Sequence, residues 1–363
     1  MPYAIPDLPP PAVAESAAIL KATIAASRAL ADLRGEAKTL PNPGILIDTL
    51  ALQEAQASSE IENYVTTQDE VFRVGAQPSS IFTGPQKEVA RYRDALRAGF
   101  EMLEERGSIT NNVLIAMFRL LKSSDGGFRT TPGTRLRNDV TGEVVYTPPQ
   151  HPDEIRRHMS ALERYINTPA PDGLDPLVRM AVIHHQFESI HPFSDGNGRI
   201  GRILNVLYLT HEGLLDAPIL YLSRYINATK VDYYRLLQSV RDDGAWEPWI
   251  AYVLSGIGAT ATETLGLVKQ IRGQMTDMKR RLRDDFPAMY SQELLNNLFR
   301  HPYTRIEYLM SEAGVSRPTA SKYLNVLAAA DVLGRTRSGR NVYYVNRPLV
   351  AAFLAVHRER GAA

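Results

Sequence analysis

Hydrophobic residues recur at helical spacing along most of this chain. Segments rich in Ala and Leu, with apolar positions three and four residues apart, predict amphipathic helices. The segments with this spacing are residues 12–33, 50–54, 92–104, 110–122, 152–166 and 176–189, and a long one that begins near Asn197. The chain is therefore expected to be mainly α-helical.

One segment departs from the helical pattern. From Phe128 to Tyr146 the spacing changes to short runs of strand-forming residues, separated by turn-forming residues at 138–142. The two runs are Thr134, Arg135, Leu136 and Arg137, and then Glu143, Val144, Val145 and Tyr146. This pattern predicts a β-hairpin within a helical chain.

A different arrangement is predicted towards the C-terminal end. A helix that begins near Arg305 is followed by a tight turn, and Ser316 then caps a second helix that has Pro318 in its first turn. The strand-like runs after residue 332 form a hairpin with an arginine-bearing tip. This order predicts a winged helix-turn-helix domain.

Positive charge is concentrated in this C-terminal region. The whole chain has a net charge of +1, whereas the residues from Arg300 onward contain ten Lys or Arg against four Asp or Glu, a local net of +6. Basic side chains on such a domain are candidates for contact with DNA phosphates. The candidates are Arg317, Lys322, Arg335, Arg337 and Arg340. Docking of another protein or of a second copy is the alternative, because a fold does not fix a function.

Composition narrows the class of protein. With 363 residues, of which 44% are hydrophobic, the chain can bury a sizeable core and is expected to hold two or three domains. It contains no cysteine, which excludes disulfides and cysteine-based metal or nucleophile chemistry. No stretch of the sequence approaches the roughly 18 apolar residues that cross a bilayer, and the N-terminus lacks the pattern of a signal peptide. A cytoplasmic location is expected.

The segment from His191 to Arg202 combines groups that suit a phosphate ligand. Its sequence is His-Pro-Phe-Ser-Asp-Gly-Asn-Gly-Arg-Ile-Gly-Arg, and it lies where a loop meets the start of a predicted helix. The N-terminus of a helix attracts anions. Gly196 and Gly198 allow the backbone to approach an anion closely, and Asn197 adds a side-chain donor.

Charged side chains in the same segment point to phosphate chemistry. Arg199 and Arg202 lie near the helix start, where a cation is unfavourable by about a few tenths of a kcal/mol unless an anion is present. Asp195 is a hard oxygen ligand suited to Mg²⁺. His191, whose ordinary pKa lies near neutrality, can take a proton from an incoming hydroxyl. Phe193 is apolar within a polar loop and is interpreted as the anchor of the loop in the core.

Two further histidines precede the segment. His184 and His185 raise the alternative of a metal site, but the spacing from them to His191 crosses a predicted helix end. His184 is therefore interpreted as a core residue or as a support for the site.

The segment resembles the signature of the Fic family, His-x-Phe-x-(Asp/Glu)-Gly-Asn-Gly-Arg-x-x-Arg, at every specified position. Most bacterial members with glycine at the position of Gly198 are protein adenylyltransferases, whereas kinase-like members have lysine there. The resemblance implies a Fic helical core that uses ATP and Mg²⁺ and transfers AMP to Tyr, Thr or Ser hydroxyls of target proteins and of itself. It implies that His191 takes the hydroxyl proton, that Asp195 holds Mg²⁺, and that Mg²⁺–pyrophosphate leaves.

The resemblance also assigns the nucleotide contacts. Asn197 is expected at the α-phosphate, and Arg199 and Arg202 at the β- and γ-phosphates. Tyr234 and Leu237 are expected at the adenine, while Arg241 lies where some members have asparagine. The full set is Gly196, Asn197, Gly198, Arg199, Gly201, Arg202, Tyr234 and Leu237.

The predicted hairpin lies where the family carries its flap. The resemblance implies that residues 134–137 pair with the backbone of the target and align its hydroxyl, a docking mode that uses main-chain hydrogen bonds. An ordinary surface hairpin is the alternative.

A second family pattern, (Ser/Thr)-x-x-x-Glu-(Gly/Asn), fits Ser58, Glu62 and Asn63. It resembles the inhibitory helix of autoregulated members, in which the glutamate pairs with the second arginine of the signature, here Arg202. A carboxylate in the guanidinium fork removes the partner of the γ-phosphate and repels ATP.

These interpretations give an expected organisation of the chain. Residues 1–105 form an N-terminal helical region with the inhibitory segment 58–63, residues 106–256 the Fic catalytic core, residues 257–290 a helical linker, and residues 291–363 the winged helix-turn-helix. Two alternatives stay open for the function. One is hydrolytic removal of AMP from a target by the same residues, with Glu62 positioning water. The other is a DNA-binding regulator with a nucleotide-sensing core. A homodimer is compatible with each of them.

Overall fold

The structure is a computed structural model, and it describes residues 3–42, 44–75, 82–138, 141–169, 173–338 and 341–358. In these ranges helices predominate, and the strands form two small antiparallel sheets, as the sequence predicts. The helices are α1 (Ala17–Ala37), α2 (Gly44–Ile61), α3 (Gln68–Gly75), α4 (Gly84–Arg106), α5 (Asn111–Lys122), α6 (Pro152–Asn167), α7 (Pro176–Ile190), α8 (Asn197–His211), α9 (Ser223–Ala228), α10 (Lys230–Asp243), α11 (Trp246–Asp285), α12 (Gln292–Arg300), α13 (Ile306–Ala313), α14 (Arg317–Ala329) and α15 (Arg347–Arg358). The strands are β1 (Leu136–Arg137), β2 (Val144–Tyr146), β3 (Tyr303–Thr304), β4 (Gly334–Ser338) and β5 (Asn341–Val345).

The chain divides into two compact units, each assembled from three segments. The first unit comprises Met1–Ala31, Ala57–Tyr64 and Arg91–Ala261. The second comprises Asp32–Gln56, Val65–Ala90 and Thr262–Ala363. Within the ranges that the structure describes, no helix has the length and apolar character needed to cross a membrane.

Helix α7 lies at the centre of the first unit. It begins where the side chain of Asp175 accepts a hydrogen bond from the backbone of Leu177, with Pro176 at the first position, a favourable start for a helix. Every residue from Leu177 to Ile190 is buried. A helix that is buried on all sides belongs in the core, and α8 packs against it.

Close packing between α7 and α8 depends on Gly201. A Cβ atom at this position would lie 2.4 Å from Oε1 of Glu188 and 3.1 Å from the ring of Phe187. Both neighbours are buried side chains of α7, so they have little room to move. The structure therefore gives Gly201 a role in helix packing, while its contact with a nucleotide stays a prediction.

Replacing Gly201 with alanine is expected to lower the free energy of unfolding by about 1–3 kcal/mol, as overpacking of a well-filled core does. The melting temperature, measured by circular dichroism, reports the change. Gly273→Ala is the matched control, because a Cβ atom on Gly273 of α11 meets nothing within 4 Å. A Gly201→Ala protein that melts no lower than the control would contradict the packing role.

The predicted hairpin is confirmed in a shorter form. Strands β1 and β2 pair antiparallel, with Leu136 opposite Tyr146 and Arg137 opposite Val144, and the register is irregular between the two pairs. Thr134 precedes the first strand. The hydroxyl of Tyr146 donates to the carbonyl of Ser189 at 2.8 Å, which ties the base of the hairpin to α7. Part of the predicted turn, residues 139–140, lies outside the described residues.

The second unit contains the elements predicted near the C-terminus. They follow in the order α12, β3, α13, α14, β4 and β5, and β5 lies between β3 and β4 in an antiparallel sheet. The side chain of Ser316 caps α14 by accepting from the backbone of Thr319, and Pro318 lies in the first turn, as predicted. Arg340, at the predicted tip of the hairpin, lies outside the described residues.

Candidate active site

A tight turn at His191 ends α7 and leads towards α8. The backbone of His191 is left-handed, with φ 50° and ψ 59°, and its N–H donates to the carbonyl of Phe187 at 2.9 Å. A non-glycine residue in this conformation costs roughly 1–3 kcal/mol and is maintained only by its surroundings. The turn therefore holds the candidate base in a fixed place at the end of a core helix.

Phe193 anchors the loop between the two helices, as the sequence predicts. Its side chain is fully buried and stacks on Phe118 with ring centroids 4.4 Å apart. A second ring, that of Phe128, lies 5.4 Å away. Aromatic packing of this kind restrains the polar residues on either side of Phe193.

Asn197 closes the same loop. Its side-chain oxygen accepts from the backbone N–H of Phe193, and its side-chain nitrogen donates to the carbonyl of Phe193, both at 2.8 Å. The amide thus braces the turn that precedes α8. The predicted contact between Asn197 and an α-phosphate stays a prediction.

The glycine-lined start of α8 already faces a carboxylate. Gly196 has a φ of 76°, a conformation that glycine adopts without strain. A Cβ atom on Gly198 would lie 2.7 Å from Oε1 of Glu62 and 2.9 Å from Nη1 of Arg202. The carboxylate of Glu62 therefore approaches the N-terminal turn of α8, where unpaired N–H groups and the helix dipole favour an anion.

Arg202 is held by the segment predicted to be inhibitory. Its Nε donates to the hydroxyl of Ser58 at 2.8 Å, and its Nη2 donates to the carbonyl of Ser58 at 3.0 Å and to Glu62 at 2.9 Å. The side chain is 2% exposed. Burial alone would lower the pKa of Arg202, but the carboxylate of Glu62 outweighs it and the pKa is raised. A buried guanidinium requires such partners.

The end of α2 explains the family pattern in physical terms. Helix α2 ends at Ile61, and Asn63 then adopts a left-handed conformation with φ 66°. Asparagine and glycine tolerate that conformation better than other residues. The turn directs Glu62 towards Arg202.

Two contacts of this segment were missed by the sequence analysis. The ammonium of Lys230 donates to the carbonyl of Ile61 at 2.7 Å, which gives the last carbonyl of α2 a partner. The guanidinium of Arg199 lies 5.4 Å from the ring centroid of Tyr64, within cation–π range. Tyr64 directly follows Asn63 in the sequence, so its position beside the inhibitory pattern could have been noticed. Nothing in the sequence relates Lys230 to the inhibitory segment.

Asp195 is paired with a cation of the protein. One carboxylate oxygen lies 2.5 Å from the ammonium of Lys122, at the end of α5, and the other accepts from the backbone of Gly196 at 2.6 Å. Burial acts to raise the pKa of Asp195, but Lys122 and Arg199 outweigh it and the pKa is lowered. The group is therefore ionised, as a metal ligand must be, and Mg²⁺ would compete with Lys122 for one of its oxygens.

The donor set fits a magnesium ion carried mainly by a nucleotide. In the ranges that the structure describes, no group of three His, Asp or Glu residues is arranged to hold a metal. Mg²⁺ in phosphate sites is often bound by one or two carboxylates, with phosphates and water supplying the other ligands. The single carboxylate of Asp195 is enough for a magnesium ion that is bound in this way.

His191 is suited to act as a neutral base. Burial, and then the charges of Arg129 and Arg241, lower its pKa to about 4, against smaller opposing effects of the Glu188 carbonyl and Glu62. The imidazole is therefore uncharged at neutral pH and can accept a proton. Negative phosphates nearby would raise this pKa.

Other ionisable groups around α7 are buried. His184 bonds to the hydroxyl of Tyr233 at 2.9 Å and to the side chain of Asn205 at 3.1 Å, and it stacks on Trp249. It is a core residue, as predicted, and burial lowers its pKa to about 3. Burial raises the pKa of Glu188 to about 7.

The residues predicted at the adenine differ in their surroundings. Tyr234 is 47% exposed on α10, whereas Leu237 is 5% exposed. Arg241, one helical turn beyond Leu237, is buried, with its guanidinium 4.1 Å from the ring centroid of Tyr146. Its Nε donates to the hydroxyl of Ser189 at 3.1 Å. The adenine contacts of Tyr234 and Leu237 stay predictions.

Comparison with known protein families gives three matches. The model described as "Fic/DOC family N-terminal" matches residues 20–101, and the one described as "Fic/DOC family" matches residues 109–209. A third, described as "Protein adenylyltransferase SoFic-like, C-terminal domain", matches residues 274–349. The second of these ranges contains the whole segment from His191 to Arg202.

Relatives of this chain are named as protein adenylyltransferases. A probable protein adenylyltransferase of Aquifex aeolicus is 28% identical over 191 residues, which are 51% of this chain and 55% of the relative. The protein adenylyltransferase Fic of Nematostella vectensis is 30% identical over 152 residues, 42% of this chain and 33% of the relative. The chain thus spans about half of the first relative and a third of the second.

Solved structures share the fold. A Fic family protein from Desulfovibrio desulfuricans is similar with a TM-score of 0.59 and 22% identity, over 92% of this chain and 98% of that chain. A Fic domain containing signaling protein from Bacteroides thetaiotaomicron is similar with a TM-score of 0.53 and 20% identity, over 66% of this chain and 95% of that chain. At this identity the likeness concerns the fold alone.

Proposed function

This chain belongs to the Fic/DOC family, and from that premise we propose that it is a protein adenylyltransferase that moves AMP from ATP to a hydroxyl of a target protein. One observation carries the proposal. The carboxylate of Glu62 lies against the glycine-lined start of α8 and is bound by Arg202, so an internal anion is held where the phosphates of ATP are expected to bind.

In the proposed reaction the imidazole of His191 removes the proton from a Tyr, Thr or Ser hydroxyl. The hydroxyl oxygen forms a bond to the α-phosphorus of ATP, the bond from that phosphorus to the bridging oxygen of the β-phosphate breaks, and pyrophosphate leaves. The side chain of Asp195 would hold Mg²⁺, which supplies charge neutralisation for the phosphates when it is bound.

The other residues of the segment bind and orient the nucleotide. We assign Asn197 to the α-phosphate, and Arg199 and Arg202 to the β- and γ-phosphates, because guanidinium groups bind phosphate oxygens in pairs. Gly196 and Gly198 have no side chains that would block the approach of the phosphates to the start of α8. Positioning of this kind accounts for much of the catalysis of phosphoryl-group transfer.

The hairpin of β1 and β2 is proposed to dock the target. The residues assigned to this role are Thr134, Arg135, Leu136 and Arg137. The exposed valines of β2, at 144 and 145, give this hairpin an apolar surface outside the core. A strand of the target that pairs along the hairpin would place its hydroxyl by main-chain hydrogen bonds, largely independent of its sequence.

We propose that the transfer activity is inhibited by a segment of the same chain, residues 58–63. Ser58 and Glu62 occupy the guanidinium of Arg202, and Asn63 provides the turn that lets Glu62 reach it. With that guanidinium engaged, the γ-phosphate loses a partner and meets a carboxylate of like charge. The wild-type protein is therefore expected to transfer AMP slowly.

We propose that the C-terminal elements form a winged helix-turn-helix, because α13 and α14 are joined by a short turn and are followed by the antiparallel hairpin of β4 and β5. Lys322, Arg335 and Arg337 are exposed, whereas Arg317 pairs with Glu307 at 3.1 Å. DNA or a protein is the proposed ligand of this surface.

The position of the transferred label tests the proposed reaction. We expect the Glu62→Gly protein to transfer ³²P to host-lysate proteins from ATP labelled at the α-phosphate and not from ATP labelled at the γ-phosphate. Label from the γ-phosphate would mean kinase chemistry. Label from neither would favour removal of AMP from a modified target, or the DNA-binding regulator, and a gel shift with promoter DNA distinguishes these two.

A further inference from the structure

Arg129 lies between α5 and the hairpin, and its side chain is 6% exposed. Its Nε donates to the carbonyl of His191 at 2.9 Å, and its Nη2 donates to the carbonyls of Pro149 and, at 3.5 Å, of Ile190. Its backbone N–H donates to the carbonyl of Pro192 at 2.8 Å. Three successive carbonyls around the candidate base therefore accept hydrogen bonds from one residue.

We propose that Arg129 is the positioning residue for His191, and that it joins the turn of the catalytic histidine to the base of the hairpin. The inference rests on the proposed transfer reaction, because it assigns Arg129 a part in aligning the base with the target hydroxyl. It adds a residue that lies outside both the signature and the inhibitory segment.

The geometry around His191 supports this role. The left-handed backbone of His191 is strained, and a strained residue persists only when its surroundings hold it. The last carbonyls of a helix have no partner within the helix, and the negative end of the helix dipole attracts a cation. A buried guanidinium at the end of α7 meets both needs. It satisfies the carbonyls of Ile190 and His191, and they in turn solvate its charge.

The hairpin is held by the same side chain. Arg129 precedes β1 and Pro149 follows β2, so the hydrogen bond between them closes the base of the hairpin. The hydroxyl of Tyr146 adds a second tie, to the carbonyl of Ser189. A target strand paired with the hairpin would consequently be placed at a fixed distance from the imidazole of His191.

The charge of Arg129 acts on the imidazole as well. After burial, Arg129 is the largest cause that lowers the pKa of His191, followed by Arg241, while the carbonyl of Glu188 and the carboxylate of Glu62 oppose them. Loss of the Arg129 charge is thus expected to raise the pKa of His191. Loss of the hydrogen bonds alone, with the charge kept, leaves that pKa close to its value in the wild type.

Two variants separate the charge from the hydrogen bonds. Arg129→Lys keeps the cation, but a single ammonium cannot span the carbonyls of Pro149, Ile190 and His191. Arg129→Gln keeps a hydrogen-bond donor but loses the charge. Arg119→Gln is the matched control, because exposed Arg119 also donates to a carbonyl, that of Gly126 at 3.0 Å. Melting temperatures identify any variant that fails to fold.

The first measurement is an NMR titration of ¹⁵N-labelled histidine, with His191 assigned from the His191→Ala spectrum. We expect Arg129→Gln to raise the pKa of His191 by about one pH unit, the size of effect that a nearby charge has on an ionisable group. Arg129→Lys and Arg119→Gln are expected to leave it unchanged. An unchanged pKa in Arg129→Gln would overturn the electrostatic part of the proposal.

The second measurement is transfer kinetics in the Glu62→Gly background. We expect Arg129→Lys to lower kcat about tenfold with the KM for ATP unchanged, because a small misplacement of reacting groups costs up to about 10²-fold. A folded Arg129→Lys protein with the kcat of the control would overturn the positioning role. If the control itself transfers no AMP, the proposed function fails, while the NMR titration still decides whether Arg129 acts on His191.

Discussion

Replacing Glu62 with glycine is expected to raise the rate of AMP transfer roughly 5- to 150-fold, the range of a coupling free energy of about 1–3 kcal/mol. The change removes the carboxylate that lies 2.9 Å from Nη2 of Arg202. It also clears the space beside Gly198, because Oε1 of Glu62 lies where a side chain on Gly198 would be. Both effects favour binding of a γ-phosphate.

The size of the effect depends on how firmly the carboxylate is held. Glu62 is supported by the turn at Asn63 and by the bond from Lys230 to the carbonyl of Ile61. Ser58 accepts hydrogen bonds from Nε and Nη2 of Arg202, and these bonds are expected to persist in the Glu62→Gly variant. The guanidinium is therefore expected to remain oriented, so the variant loses the inhibitory anion without losing the site.

For each protein, transfer of label from α-labelled ATP is measured together with the Kd for ATP, which calorimetry gives. Glu60→Gly is the matched control, since Glu60 is an exposed residue in the last turn of α2, two positions before Glu62. We expect the control to behave as the wild type, and Glu62→Gly to bind ATP more tightly. Equal transfer and equal affinity in both variants would remove the inhibitory role of Glu62. Loss of AMP hydrolysis from a modified target in Glu62→Gly would instead favour the removal reaction.

The features that the sequence predicts well are the local ones. The hairpin, the capping of α14 by Ser316 and the buried anchor Phe193 each depend on residues a few positions apart, so spacing and residue type suffice to find them. The pairing of Glu62 with Arg202 spans 140 residues, and the resemblance to a family pattern, rather than any property of the intervening chain, predicts it.

Contacts between distant segments account for what the sequence did not predict. Arg129 and His191 are 62 residues apart, and Lys122 and Asp195 are 73 apart. In the sequence, a lone arginine before a hairpin or a lysine at a helix end looks like a solvated charge, because the sequence does not show the partner that the fold gives it. Gly201 is a related case, because the signature suggests a phosphate contact while the packing of α7 on α8 requires a residue without a side chain.

The division of the chain into two discontinuous units also depends on contacts between distant segments, so the sequence does not predict it. Helical spacing along a sequence predicts where elements begin and end, but not which elements pack together. Helix α2 illustrates this, since Gln56 belongs to the second unit and Ala57 to the first. A boundary within a helix leaves no change in composition or spacing that a reader of the sequence can detect.

Replacing His191 with alanine is expected to lower the rate of AMP transfer by about 10²- to 10⁴-fold, the contribution of a positioned general base. The Kd for ATP is expected to change little, because Arg199, Arg202 and the start of α8 are untouched. His151→Ala is the matched control, since His151 is exposed and its side chain makes no capping bond at the start of α6. Both proteins are compared in the Glu62→Gly background.

The pH dependence gives this prediction a second, independent readout. A base must be uncharged to accept a proton, and burial with the charges of Arg129 and Arg241 lowers the pKa of His191 to about 4. The value of kcat/KM, which reports the free enzyme, is therefore expected to stay level through neutral pH and to fall only as the pH approaches about 4. Bound phosphates raise the pKa of the imidazole, so the acidic limb of kcat is expected at higher pH than that of kcat/KM. Coincident limbs near pH 6.5, the ordinary range of histidine, would mean that the imidazole is neither buried nor held beside Arg129.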